Sequence, residues 1–281
     1  MKLKSLAMLT ALVALSGCTL PYRPTPTPTP VATSITGNWE ITLTTTNQAP
    51  TPFFGIYLMQ TGSTVSGYAW VQMAFPLACI ENGPPCGFPF EGLDPNLTGT
   101  IDADGNIVLT STSPGSNPEV FTITGNITED TTLNGTYIAT SGAYTAKGTI
   151  SGNLIAPLNG TYTGTVVSTY TGQSMGVTTT LNQSSSLNSR NFLSVTASAT
   201  FTGSPCFTTA TMQGPADTYS GFLGNSFSVS LVSTSNSSIY IEEMGSVSPD
   251  AKTIQFSYGV VNLSGNGCIK NDYGSGTLTL Q

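Results

Sequence analysis

The stretch Gly37-Asn38-Trp39-Glu40-Ile41-Thr42-Leu43-Thr44 alternates strictly: Trp39, Ile41 and Leu43 are apolar, and Glu40, Thr42 and Thr44 are polar. A period of two belongs to an extended strand, whose successive side chains point to opposite faces. The run therefore offers one apolar face to a core and one hydroxyl-rich face to water. The same pattern recurs further on, where Phe121 and Ile123 alternate with Val120, Thr122 and Thr124. It returns where Phe227, Val229 and Leu231 alternate with Ser226, Ser228 and Ser230. No window of comparable length has helical spacing, so the chain is all-β.

Turn signals separate these runs at short intervals: Thr61-Gly62-Ser63, Asp104-Gly105-Asn106, Glu129-Asp130-Thr131, Ser141-Gly142, Pro249-Asp250-Ala251 and Gly265-Asn266-Gly267. Short turns pair each strand with its successor, giving an antiparallel meander. A meander of about eight strands removes its exposed edges by closing into a barrel. In the first half the strands are predicted near 38–45, 53–60, 64–74, 97–102, 106–112, 119–128, 132–140 and 143–154.

The second half repeats the first. Gly37, Trp39 and Gln60 correspond to Gly160, Tyr162 and Gln183 at an offset of 123. Gly99, Ser111 and Thr112 meet Gly221, Ser233 and Thr234 at 122, and Gly125, Ile127 and Asp130 meet Gly245, Val247 and Asp250 at 120. Near the ends, Gly148-Thr149 meets Gly276-Thr277 at 128. Such offsets point to a tandem duplication with its seam near Ala156-Pro157-Leu158, hence a first β-barrel domain over 36–156 and a second over 157–281. The alternatives are a pair of β-sandwiches, which need Greek-key crossovers that the short turns do not require, or one large β structure of biased composition.

Each copy opens on a glycine and an aromatic residue two places later, Gly37-Asn38-Trp39 and Gly160-Thr161-Tyr162. This resembles the Gly-x-Trp start of the calycin barrels, lipocalins and avidins among them. The resemblance implies a barrel with one open end and a small apolar ligand inside it. In lipocalins a late basic residue packs on that tryptophan, and Lys147 is the residue of the first copy that would fill the role.

At the N-terminus, Lys2 and Lys4 precede an apolar run from Leu6 to Leu15, which hands over at Leu15-Ser16-Gly17-Cys18 to a proline-rich segment. Leu15 to Cys18 resembles a bacterial lipobox. The resemblance implies a signal peptide over 1–17, lipidation of Cys18 and attachment to the bilayer. Thr19, where Asp would resemble an inner-membrane retention signal, implies the outer membrane. Residues 18–35 hold Pro21, Pro24, Pro26, Pro28 and Pro30, the last four alternating with Thr. A polyproline II stalk of this length reaches about 50 Å at roughly 3.1 Å per residue; an ordinary disordered linker is the alternative. The apolar run is shorter than the roughly 20 residues of a membrane-spanning helix.

Charged residues are 7% of the 281-residue chain and histidine is absent. Without residues 1–17, five basic residues (Arg23, Lys147, Arg190, Lys252, Lys270) face 14 acidic ones, a net charge of about −9. The basic residues lie singly, which excludes nucleic acid as a partner, since phosphate contacts need clustered Lys or Arg. With Cys18 taken by lipid, Cys79, Cys86, Cys206 and Cys268 remain as an even set, and the favoured pairing is Cys79 with Cys86 and Cys206 with Cys268. A zinc site is the rival, but neither spacing is that of a ligand pair and no histidine completes it. No metal or other cofactor is expected.

Absence of histidine excludes Ser/His/Asp and Cys/His catalysis, which leaves paired carboxylates as the means of hydrolysis. Most acidic residues sit in turns, where local geometry explains them. Glu242 and Glu243 lie within the apparent strand from Ile239 to Met244, and Glu243 shares the parity of Ile239 and Ile241; a place at the barrel rim is the ordinary explanation. Asp102-Ala103-Asp104-Gly105-Asn106 resembles part of a calcium loop but lacks its spacing, and a hairpin turn accounts for it.

Phe53 to Met59 and Tyr68 to Val71 are apolar on both faces, so something covers the outer wall. Tyr57, Tyr68 and Trp70 are candidates for a ligand-binding aromatic patch; packing against the second copy or the Cys79 to Cys86 loop is the structural explanation. The sequence thus suggests a noncatalytic envelope module that contacts a protein or glycan. Carriage of a small apolar ligand inside a barrel comes second, and a carboxylate-based hydrolase last.

Overall fold

The computed structural model describes residues 34–45, 53–72, 96–112, 119–129, 131–141, 144–204, 209–211, 220–262 and 272–281. The expected signal peptide, most of the expected stalk, and Cys18, Cys79, Cys86, Cys206 and Cys268 lie outside these residues. The strands β1 (Gly37–Thr45), β2 (Phe53–Thr61), β3 (Thr64–Gln72), β4 (Asn96–Ile101), β5 (Asn106–Thr112), β6 (Glu119–Thr128), β7 (Thr132–Ser141) and β8 (Tyr144–Ile155) form a closed antiparallel barrel in chain order. Closure is made by β1 against β8, from Asn38 opposite Ile155 to Thr45 opposite Gly148. The alternation read from the sequence sets the interior: Trp39, Leu43, Ile56, Leu58, Leu109, Ile123 and Leu133 are all fully buried in one core.

The second barrel follows through β9 (Asn159–Ser168), β10 (Ser174–Leu187), β11 (Leu193–Thr202), β12 (Thr209–Thr211), β13 (Gly221–Leu223), β14 (Ser226–Ser233), β15 (Ile239–Val247), β16 (Thr253–Asn262) and β17 (Tyr273–Leu280). The short β12 and β13 run in the same direction between β11 and β14 and share one position. With β10 paired to β11 and β17 to β9, the ring closes on eight positions. Its core is a second cluster that includes Tyr162, Phe201, Phe227, Phe256, Tyr258 and Leu278.

Both barrels are plugged in the same way. Ile35 and Leu158, each fully buried, lie just before the opening strands. The Ile35 N–H donates to Gln60 Oε1 at 2.9 Å, and the Leu158 N–H donates to Gln183 Oε1 at 2.8 Å. Gln60 N–H donates in turn to Thr36 Oγ1, and Gln183 N–H to Asn159 Oδ1. All of these correspondences fall at the offset of 123. At the offset of 120, Ile127 N–H donates to the Gly105 carbonyl, and Val247 N–H donates to that of Asn225. Gly160 adopts φ of 132°, and a Cβ there would run into Leu280 Cδ1, so glycine answers both demands at the strand start.

The fold is the expected one, two tandem eight-stranded meander barrels, and continuous closure leaves no place for the sandwich alternative. Two details differ from the sequence reading. Ile35, placed by the sequence reading at the end of a stalk, belongs to the first core. Lys147 is exposed, and Leu154 stands opposite Trp39 in the register. The Trp39 indole N–H is satisfied instead by the Ile35 carbonyl at 3.0 Å.

Candidate functional site

The outer face of β1 carries Asn38 and Glu40 by the alternation that sends Trp39 and Ile41 inward. That face is covered by the turn between β13 and β14. Asn38 Oδ1 accepts from the Gly224 N–H at 2.6 Å, and Asn38 Nδ2 donates to the Gly224 carbonyl at 2.7 Å. Asn225 Nδ2 donates to Glu40 Oε1 at 2.7 Å. Burial holds the Glu40 carboxyl above the usual range. Gly224 has φ of 60°, and a Cβ on Gly55 would lie 2.7 Å from the Gly224 nitrogen. Two glycines therefore let the backbones of the two barrels meet, and one asparagine amide clamps them.

Beside this joint lies a cleft of about 530 Å³. One wall comes from the first barrel, with Thr36, Gly37, Asn38, Tyr57, Thr131 and Leu154. The seam supplies Ile155, Ala156 and Pro157, and the second barrel supplies Asn159, Gln183, Ser184, Ser185, Leu193 and Pro249. None of these side chains carries a charge. Asn38 is fully committed to Gly224, and the carbonyl oxygens of Gln183 and Asn159 are committed within the second barrel. Among the described residues, Asn159 Nδ2, Gln183 Nε2 and the Tyr57 hydroxyl are left without hydrogen-bond partners. The cleft thus pairs amide donors and an aromatic ring with an apolar floor, and its volume suits a small molecule.

Of the aromatic residues singled out in the sequence, Tyr57 is half-buried and packs against the second core, where it also lines the cleft. Tyr68 stands opposite Tyr57 in the β2–β3 register and is half-buried. Trp70 lies in β3, and its side chain is outside the described residues. The packing explanation and the binding explanation thus meet in Tyr57. Asn159, Gln183 and Leu193 were not singled out by sequence reasoning; Gln183 carried a signal only as the repeat partner of Gln60.

Glu242 is exposed, whereas Glu243 is fully buried at the middle of β15 and not at a rim. Thr179 Oγ1 on β10 donates to Glu243 Oε2 at 3.0 Å, and Oε1 has no partner among the described residues. Burial raises this carboxyl to about 7, a shift that the Thr179 bond reduces. Asp102 forms a closed turn: Oδ1 accepts from the N–H groups of Asp104 and Asn106, and Oδ2 accepts from Asn106 Nδ2. These bonds lower its pKa, led by the one from the Asn106 side chain. The hairpin explanation accounts for both oxygens.

Closed eight-stranded meanders of this kind are calycin-like in architecture. No family model matches the chain, and no curated protein matches it. Among solved structures, the chain is similar to a protein of unknown function from the DUF3598 family of Nostoc punctiforme PCC 73102, at 13% identity and a TM-score of 0.29, over 88% of this chain and 96% of that one. It is also similar to kievitone hydratase from Nectria haematococca, at 14% identity and a TM-score of 0.22, over 88% of this chain and 89% of that one.

Proposed function

We propose that this protein is a noncatalytic binding module of the bacterial outer membrane, held there by lipid on Cys18, that takes a neutral, hydroxyl-rich ligand of the glycan class in the cleft between its barrels. The observation that carries the reading is the lining. Amide donors at Asn159 and Gln183 suit sugar hydroxyls, Tyr57 and Leu154 suit the apolar face of a sugar ring, and the absence of charge disfavours phosphates and amines. Carriage of an apolar ligand inside a barrel is less well supported, because the Thr179–Glu243 bond occupies the second lumen and isoleucines occupy the equivalent places in the first.

The test is a screen of neutral and anionic oligosaccharides against the wild-type protein and Asn159→Asp. The substitution keeps the oxygen that accepts from Gln183 N–H but removes the Nδ2 donor. Binding confined to neutral glycans and weakened roughly tenfold in the variant supports the proposal. Wild-type protein that binds none of them sinks it. The anchor is tested separately: Cys18→Ser protein should leave the membrane fraction, and its retention there speaks against lipidation.

A further inference from the structure

Around the ring of the second barrel, β9, β17 and β16 lie between β10 and β15 on one side. On the other side lie β11, the shared β12/β13 position and β14. Thr179 and Glu243 therefore project from opposite walls, and their 3.0 Å hydrogen bond crosses the lumen. The repeat offsets of 123 and 120 place Ile56 and Ile123 at the equivalent positions of the first barrel, both fully buried. The surroundings are otherwise repeated: Tyr258 stands opposite Glu243 as Tyr137 stands opposite Ile123, and Val229 as Leu109. One barrel thus has two isoleucines where the other has a hydroxyl and a carboxyl.

We infer that the Thr179–Glu243 pair is a proton-operated brace, which holds the second barrel shut while the carboxyl is neutral and loosens it when the carboxyl ionises. The 3.0 Å contact between Thr179 Oγ1 and Glu243 Oε2 serves either direction: a neutral Glu243 donates its O–H to Thr179 Oγ1, which frees the Thr179 O–H for the Ser198 carbonyl, 3.4 Å away. Loss of the proton to solvent reverses the first bond. Thr179 must then donate to the carboxylate and release Ser198, while Oε1 is left charged, buried and without a partner.

No cation among the described residues relieves it. Val229 on β14 and Tyr258 on β16 flank Glu243; Tyr162 on β9 and Ala199 on β11 flank Thr179. The Tyr162 hydroxyl donates to the Ala251 carbonyl. The Tyr258 hydroxyl donates to Asp272, whose other oxygen accepts from Ser168, so the next carboxylate adds to the negative charge. Lys147, Arg190 and Lys252, the described cations, are all exposed. An ionised Glu243 therefore has to draw water into the lumen, and β10 and β15 must part to admit it.

Hydrogen exchange of the full chain, read peptide by peptide between about pH 5 and pH 8 and corrected for intrinsic rates, tests this. Protection of β10 and β15 should fall roughly tenfold or more across that range, while β2 and β6, with Ile56 and Ile123, stay level. Glu243→Gln should abolish the fall. The double variant Thr179→Ile/Glu243→Ile, which restores the pair of the first barrel, should do the same and covers failure of the single variant to fold. A parallel fall in all four strands, or an unchanged fall in the variants, overturns the inference.

Discussion

The carboxyl of Glu243 leaves water on folding and gains only the Thr179 hydroxyl in return, so its folded-state pKa rises to about 7 from the ordinary value of 4.5. The unfolded chain releases this proton first as pH increases. Stability is greatest below the unfolded value, declines up to about pH 7, and is then level, with a total loss of about 3 kcal/mol. Denaturant midpoints measured from about pH 4 to pH 8 should follow that curve in the wild type, and Glu243→Gln should flatten it. At the joint between the barrels, Asn38→Ala leaves both the N–H and the carbonyl of Gly224 without their amide partner and should cost about 2 to 4 kcal/mol by chemical denaturation. A cost under about 0.5 kcal/mol would mean that the Asn38 clamp does not hold the barrels together. The inward direction of Glu243 was legible from its parity with Ile239 and Ile241. Its partner was not, because Thr179 lies 64 residues away on the opposite wall, where alternation within a strand carries no information.

Among elements, the strands were readable because hydroxyl and aliphatic residues alternate with little interruption, and the turn residues are those that short hairpins need. The predicted bounds fall within one or two residues of β1 to β8. The paired plugs follow from the repeat: Gln60 and Gln183 each hold the N–H of the residue that closes the barrel. Gln60→Ala and Gln183→Ala should each cost about 1 to 3 kcal/mol, since each leaves that N–H unpaired in a buried or half-buried place. Hydrogen exchange should locate the first loss at Ile35 and the second at Leu158. A cost that appears in only one of the two variants would contradict the equivalence of the plugs. The outer face of β1 was the hard part, because Asn38 and Glu40 have the chemistry of a solvated edge and only the second barrel makes them interior. Likewise, Gly55 gives no sign in the sequence that a backbone from another barrel passes beside it. Gly55→Val should disrupt the joint, because Gly224 offers backbone and not a movable side chain.

At the scale of the molecule, the two barrels share an architecture and divide their roles. The first has two isoleucines where the second carries its polar pair, and the space between them is an uncharged cleft built from both. The cleft could not be read from the sequence, since its lining comes from seven separated stretches that only ring closure and docking bring together. Tyr57 alone was singled out, on the strength of an apolar run with two buried faces. Ser185 lies at the cleft, is exposed and belongs to neither core, so Ser185→Trp should fill the space without altering the melting temperature. Calorimetric titration of a neutral oligosaccharide into wild-type and Ser185→Trp protein tests glycan binding in the cleft most directly. The expected result is saturable binding by the wild type, weakened at least roughly tenfold in an equally stable variant. Equal affinity in the two proteins, or no binding to the wild type, would contradict it.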